Sequence, residues 1–173
     1  MEVNVAPAVA IKVRSQVQCV EFSPFEWSQG LLAVGLPTSV AVFTVKLKEE
    51  GNGSSGDEYE QVWEWHASSQ PVSIAWSPSS TLRAAPACLQ VAVASADHKV
   101  RQISSDLGES NVVQEILSHT DFVNSVTYNG DSGSLVASAG DDLTAQGVGQ
   151  LLADTDFKVP LNITRNGGSL PPR

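Results

Sequence analysis

Apolar and polar residues alternate with a period of two along much of the chain up to about position 140, the repeat of a β-strand with one face buried. Residues 17–24 (Val-Gln-Cys-Val-Glu-Phe-Ser-Pro) alternate until a proline halts the ladder. A turn at 25–30, a short apolar strand at 31–35, a proline-containing turn at 36–38 and a third strand at 39–45 follow. Residues 61–65 (Gln-Val-Trp-Glu-Trp) place Trp63 and Trp65 on one strand face and Glu64 on the other, completing a meander. A β-prone run at 8–13 is isolated and reads as an outer strand whose partners lie elsewhere.

The pattern then repeats. Residues 72–78 (Val-Ser-Ile-Ala-Trp-Ser-Pro) lie over 18–24, with Trp76 on Phe22 and Ser77-Pro78 on Ser23-Pro24. Tyr128 takes the same place in a third unit, so the separations are 54 and 52 residues. Over 89–96, Val91, Val93 and Ser95 share one strand face, and Ala92, Ala94 and Ala96 share the other. A face of such small residues lets a neighbouring sheet approach closely. The third unit has strands at 123–128 and 135–139, each followed by a turn rich in Gly and Asp.

Three polar residues recur in this unit at a telling spacing: His119 before the first strand, Ser138 in the second, Asp142 in the turn after it. The order resembles the hydrogen-bond relay of WD40 propeller blades. That resemblance implies an Asp142 carboxylate accepting from the His119 ring, whose other nitrogen faces the Ser138 hydroxyl. Asp97 opens the corresponding turn in the second unit, but six positions on stands Ile103, where many WD40 units carry Trp. The relay of His66, Ser95 and Asp97 is therefore expected to be incomplete. A Ser, a His and an Asp also suggest a hydrolase. However, no Gly-x-Ser-x-Gly elbow occurs in the chain, and Ser138 lies within an alternating strand that would bury it. The relay is read as structural and no residue as catalytic.

The expected fold is all-β: a partial WD40 β-propeller of about two and a half blades of antiparallel four-stranded sheets, with a disordered C-terminal tail. The units run over about 15–65, 66–117 and 118–144. Their period exceeds the roughly 40 to 45 residues of a bare WD40 unit, and the excess falls in loops at 46–60 and 79–88. After Thr144 the pattern fails: residues 145–173 do not match a blade, 150–156 allow one helical turn, and 162–173 read as disordered. Because propeller blades bury their faces only against neighbours, this break suggests a truncated or alternatively spliced form with a divergent tail.

Composition narrows the function classes. The 173 residues are 42% hydrophobic and 17% charged, enough for one domain, and the net charge of −9 opposes direct nucleic-acid binding. No apolar stretch is long enough for membrane insertion, and no signal segment opens the chain, so a soluble, non-secreted protein is expected. The two cysteines, Cys19 and Cys88, read as reduced, buried thiols, and His98 as a turn residue without metal-ligand spacing around it. Residues 51–56 spell Gly-x-Gly-x-x-Gly, but their acidic flanks and the lack of a strand and helix around them argue against a dinucleotide. Neither a cofactor nor a metal is expected. The Asn-x-Ser/Thr triplets at 52–54 and 162–164 carry no weight without a secretory route.

Several runs are more specific than the generic repeat: Val20-Glu21-Phe22-Ser23-Pro24-Phe25-Glu26, Ile74-Ala75-Trp76-Ser77-Pro78, Ser95-Ala96-Asp97-His98-Lys99-Val100-Arg101, Ser104-Ser105-Asp106-Leu107 and His119-Thr120-Asp121-Phe122-Val123-Asn124. In this order, over about 15–144, they resemble the WD40-repeat nucleoporins of the Y-shaped nuclear pore complex. The resemblance implies a non-enzymatic scaffold at the nuclear pore, with other Y-complex nucleoporins as protein partners. It further implies support of pore assembly, mRNA and protein transport, and a kinetochore role in mitosis. No binding residue carries over. The alternative is a generic WD40 adaptor of a ubiquitin ligase or chromatin complex.

Overall fold

The computed structural model describes residues 10–46, 58–108, 111–130 and 135–149. Most of the loop expected at 46–60, residues 8 and 9 of the isolated strand, and the tail from 150 onward lie outside the described residues.

Eleven strands form three antiparallel sheets among the described residues. The first contains β1 (Cys19–Phe22), β2 (Leu31–Leu36), β3 (Ser39–Lys46) and β4 (Glu58–His66), hydrogen-bonded in that order. The second contains β5 (Pro71–Trp76), β6 (Leu89–Ser95), β7 (Lys99–Ser105) and β8 (Asn111–Ser118), in the same order. The third has β9 (Val123–Tyr128), β10 (Leu135–Gly140) and β11 (Ala145–Gly149). A single 3-10 turn, Glu26–Ser28, interrupts the first β1–β2 connection. The architecture is a partial, unclosed propeller.

Three features differ from the sequence expectations. Residues 10–13 form no strand; instead Ile11 and Val13 pack on the outer face of the first sheet. The strand β8 has no clear alternation and is exposed over most of its length, as befits an edge held chiefly by its ladder to β7. The break expected at residue 145 comes later, because β11 pairs with β10 from Ala139↔Ala145 to Leu135↔Gly149. A ladder joins backbone groups, so the small residues Ala145, Gly147 and Gly149 extend the sheet, and Val148 is the strand's one large apolar residue packed against the core.

The sheets stack face to face, and register shows the rule. In the second sheet Ile74 sits across from Val93 and Trp76 across from Val91, on the face that meets Leu31, Ala33, Val40 and Val42 of the first. The opposite face carries Ala75, Ala92, Ala94 and Val100, which bury against Val123, Val126 and Val136 of the third sheet. Each sheet thus presents a large-residue face to the sheet before it, whereas the second sheet meets the third with small residues. The innermost strands make these contacts, β5 touching β1 and β9 touching β5.

Three of the four tryptophans also fasten the first seam by hydrogen bonds. The Trp76 indole donates to the Glu21 carbonyl at 2.9 Å, Trp27 to the Pro78 carbonyl at 2.9 Å, and Trp63 to the Asn111 side-chain oxygen at 3.1 Å. Close approach at this seam needs Gly35, where a Cβ would lie 2.5 Å from Cys19 Sγ and 3.1 Å from Pro71 Cβ. Burial beside it pushes the Cys19 thiol up to about 11, partly offset by a backbone hydrogen bond at Gly35. Since the thiolate is the reactive form, Cys19 is expected to react with iodoacetamide about 100-fold more slowly than a free thiol. Mass spectrometry of the native chain after timed labelling measures this; Cys19 labelling at the rate of the urea-unfolded chain would contradict the packing.

Candidate functional site

The polar residues singled out in the third unit come together at one end of the sheet. Backbone bonds first fix the loops: His119 N donates to the His98 carbonyl at 2.9 Å, and Asp141 N to the Phe122 carbonyl at 2.8 Å. The His119 ring is then held from both sides, with Nδ1 2.9 Å from Asp142 Oδ2 and Nε2 2.8 Å from Ser138 Oγ. A carboxylate only accepts, so Nδ1–H donates to Asp142, and in the neutral ring Nε2 accepts from the Ser138 hydroxyl.

Asp142 gathers more donors than its spacing announced. Thr120 N and Thr144 N donate to it at 3.1 and 3.0 Å, and the Thr144 hydroxyl at 2.7 Å. Burial raises this carboxyl, but the His119 and Thr144 side chains and the two backbone N–H groups outweigh it and hold Asp142 well below the usual carboxylate range. Thr144 and Gly140 were not identified from sequence. A Thr two positions after an Asp is the available signal for the first. Gly140 is required because a Cβ there would stand 2.8 Å from both His119 Nδ1 and the Phe122 carbonyl oxygen.

The connectivity Asp142–His119–Ser138 is that of a hydrolytic triad, but its surroundings are not. Ser138 is 4% and His119 6% exposed, and Ser138 lies on the face of β10 that Val136 and Val126 press against the second sheet. No carbonyl substrate reaches Ser138 Oγ in this position. Among the described residues there is no group of three His, Cys, Asp or Glu suited to a metal, and no helix long and apolar enough to cross a membrane.

Asp97, the equivalent acid in the second unit, is not joined to a histidine there. Its carboxylate instead takes the Arg101 guanidinium in a two-pronged pair, Oδ1 to Nη1 at 3.0 Å, and this pairing lowers its carboxyl. His66 ends β4 and is exposed, while Ser95 Oγ is buried without a hydrogen-bond partner among the described residues. Register explains the difference. Ser138 sits across from Val126, and the residue across from Ile74, the counterpart of Val126, is Val93. The serine's place in the second unit is therefore apolar, and the expected alignment of Ser95 with the relay is one pair out.

Comparison with known proteins agrees with this architecture. The WD40 family model, "WD domain, G-beta repeat", matches residues 58–104 and 110–146. Nucleoporin Nup37 of Homo sapiens is 32% identical over 141 residues, covering 80% of this chain and 43% of the relative. Nup37 of Mus musculus is 31% identical over the same length and shares, and that of Drosophila melanogaster 24% identical over 143 residues, 82% of this chain and 44% of its own. The chain thus spans less than half the length of these curated relatives. A solved chain in "Crystal Structure of Mitotic Checkpoint Complex" superposes with a TM-score of 0.50 at 23% identity, covering 73% of this chain and 33% of that one, a likeness of fold. The chain thus matches the WD40 repeat over 58–104 and 110–146 and is similar in sequence to nucleoporin Nup37 over four-fifths of its length.

Proposed function

We propose that this chain serves as a non-enzymatic scaffold part of the nuclear pore outer ring, within the Y-shaped nucleoporin complex. In this reading it supports pore assembly, mRNA and protein transport and kinetochore function in mitosis, binding other nucleoporins. The similarity to Nup37 across 80% of the chain carries the reading. The stacked sheets support it, since they bury most of their large apolar residues against each other. In the same reading the His119, Ser138 and Asp142 relay is structural: it ties the loop before β9 to the turn after β10, and Asp97 does the lesser equivalent through Arg101. In this reading the units follow the repeat, over about 15–65, 66–117 and 118–144, with β11 continuing the third.

The test is expression of the tagged chain in dividing cells, with imaging of the nuclear rim and kinetochores and mass spectrometry of what co-purifies. Rim signal with recovery of Y-complex nucleoporins is the expected result. Diffuse signal with ubiquitin-ligase or chromatin subunits recovered instead would replace this reading with a generic WD40 adaptor.

A further inference from the structure

The turn between β1 and β2 carries an aromatic surface that the fold leaves to solvent. Phe25 and Trp27 stack there, with ring centroids 5.2 Å apart and planes 14° from parallel. Phe25 is half-buried against the core between the first two sheets, whereas Trp27 is 45% exposed. The backbone beneath the pair is fixed. Ser23 Oγ and Ser28 Oγ meet at 2.5 Å in a buried contact, Ser28 N donates to the Phe25 carbonyl at 3.1 Å, and Val45 N to the Gly30 carbonyl at 2.7 Å. Gly30 is required at the exit of the turn, because its φ is +83° and a Cβ there would stand 2.6 Å from the Val45 carbonyl oxygen.

Most of what an indole offers a ligand is already taken at Trp27. Its N–H is spent on the Pro78 carbonyl at 2.9 Å across the seam, and Phe25 covers one ring face. The opposite face remains, and the π electrons of an aromatic face attract cations. With no free donor, the ring cannot also hold the backbone carbonyl of a polyproline segment. Glu26 opens the 3-10 turn between the two aromatic residues and is exposed, as is Glu21 near the end of β1. Among the described residues neither carboxylate enters an ion pair, whereas Glu115, Asp97 and Asp142 all do. Arg83, exposed on the loop that follows Pro78, pairs with neither.

We propose that the open face of Trp27, with Glu26 beside it, receives an arginine side chain from a partner protein. A guanidinium is planar, weakly hydrated and always charged, so it lies flat on an indole while its N–H fork donates to a carboxylate. The net charge of −9 draws a cationic segment toward the chain and repels a nucleic acid. The turn sits over the seam that the first two sheets form with each other, so this surface owes nothing to the outer faces of the stack. A ring held by stacking and by its own hydrogen bond gives up little freedom on binding. The inference does not rest on the scaffold reading, since any partner that carries this chemistry fills the surface.

Proton–nitrogen NMR of the full chain tests it through the four tryptophan indole N–H signals, with that of Trp27 assigned by its loss in Trp27→Leu. The probe is acetyl-Gly-Arg-Gly-Arg-Gly-amide, beside the same peptide with citrulline for arginine, which keeps the shape and loses the charge, and beside a proline pentamer. The Trp27 signal is expected to shift saturably with the arginine peptide while those of Trp63, Trp65 and Trp76 stay, and to ignore the other two peptides. Glu26→Gln, at an exposed position, should keep the parent's circular dichroism and weaken binding about 2- to 5-fold, the scale of an exposed ion pair. Raising the salt from about 50 to about 500 mM should weaken binding to the parent chain as well. A Trp27 signal that does not move, equal shifts at all four indoles, equal binding of the citrulline peptide, preference for the proline pentamer, or undiminished affinity in Glu26→Gln would overturn the inference.

Discussion

Replacing Trp76 by alanine is expected to cost about 3–5 kcal/mol of unfolding free energy, the range for deleting a buried aromatic side chain. Trp76 is 2% exposed, sits among Leu31, Val40, Val42 and Val91, and reaches across to the Glu21 carbonyl through its indole. Phenylalanine would keep most of the packing and lose only that donor, for about 1–2 kcal/mol. Urea unfolding followed by far-UV circular dichroism separates the two: the midpoint should fall for both variants, further for alanine, at an unchanged slope. A domain is stable by only about 5–15 kcal/mol, so the alanine variant should lose a large share of that margin. A midpoint equal to that of the parent chain would mean that the seam between the first two sheets does not hold the stack together.

His119→Ala carries the second large effect, a loss of about 3 kcal/mol, the scale for removing one partner of a buried polar pair. The Asp142 side chain, 6% exposed, would keep its charge while losing its ring donor, and the Ser138 hydroxyl on β10 would lose its bond to the ring. The same relay sets an acid dependence whose sign follows from Asp142. Its carboxyl titrates lower folded than unfolded, so the stabilisation it supplies is fully present above the unfolded value near pH 4. As pH falls from there toward the folded value, the unfolded chain takes up a proton that the folded chain refuses, and the contribution disappears. Melting curves of the parent chain and Asp142→Asn should therefore lie apart at pH 7 and converge toward pH 3. Parallel curves across that range would sever the relay from stability.

Most of the architecture was legible where side chains do two jobs at once. The run from Pro71 to Trp76 alternates because one face meets the first sheet and the other the third, and the alanines of β6 announced the close approach that Ala92 and Ala94 make. The contacts of His119 with Asp142 and Ser138 were legible because a histidine, scarce in this chain, must stand at fixed distances from both to meet them. What stayed hidden was largely backbone-driven: β8 and β11 are added by their ladders, and the few side chains they bury, Ile116 and Leu117 in one and Val148 in the other, are too few to leave a period. The misplacement of Ser95 has the same origin, since two serines on one strand face look alike in sequence, and only pairing to β5 and β9 distinguishes Val93 from Ser95 as the counterpart of Ser138.

The two seams of the stack are secured differently. Three indole donors index the first sheet against the second, whereas the second meets the third through Ala75, Ala92, Ala94 and Val100 against Val123, Val126 and Val136, with directional bonds from His119 N to the His98 carbonyl and from Val126 N to Ser73 Oγ. Directional bonds fix a lateral position, while smooth methyl surfaces slide at little cost. The seam without indole donors is therefore expected to yield to a lateral load before the one that has three.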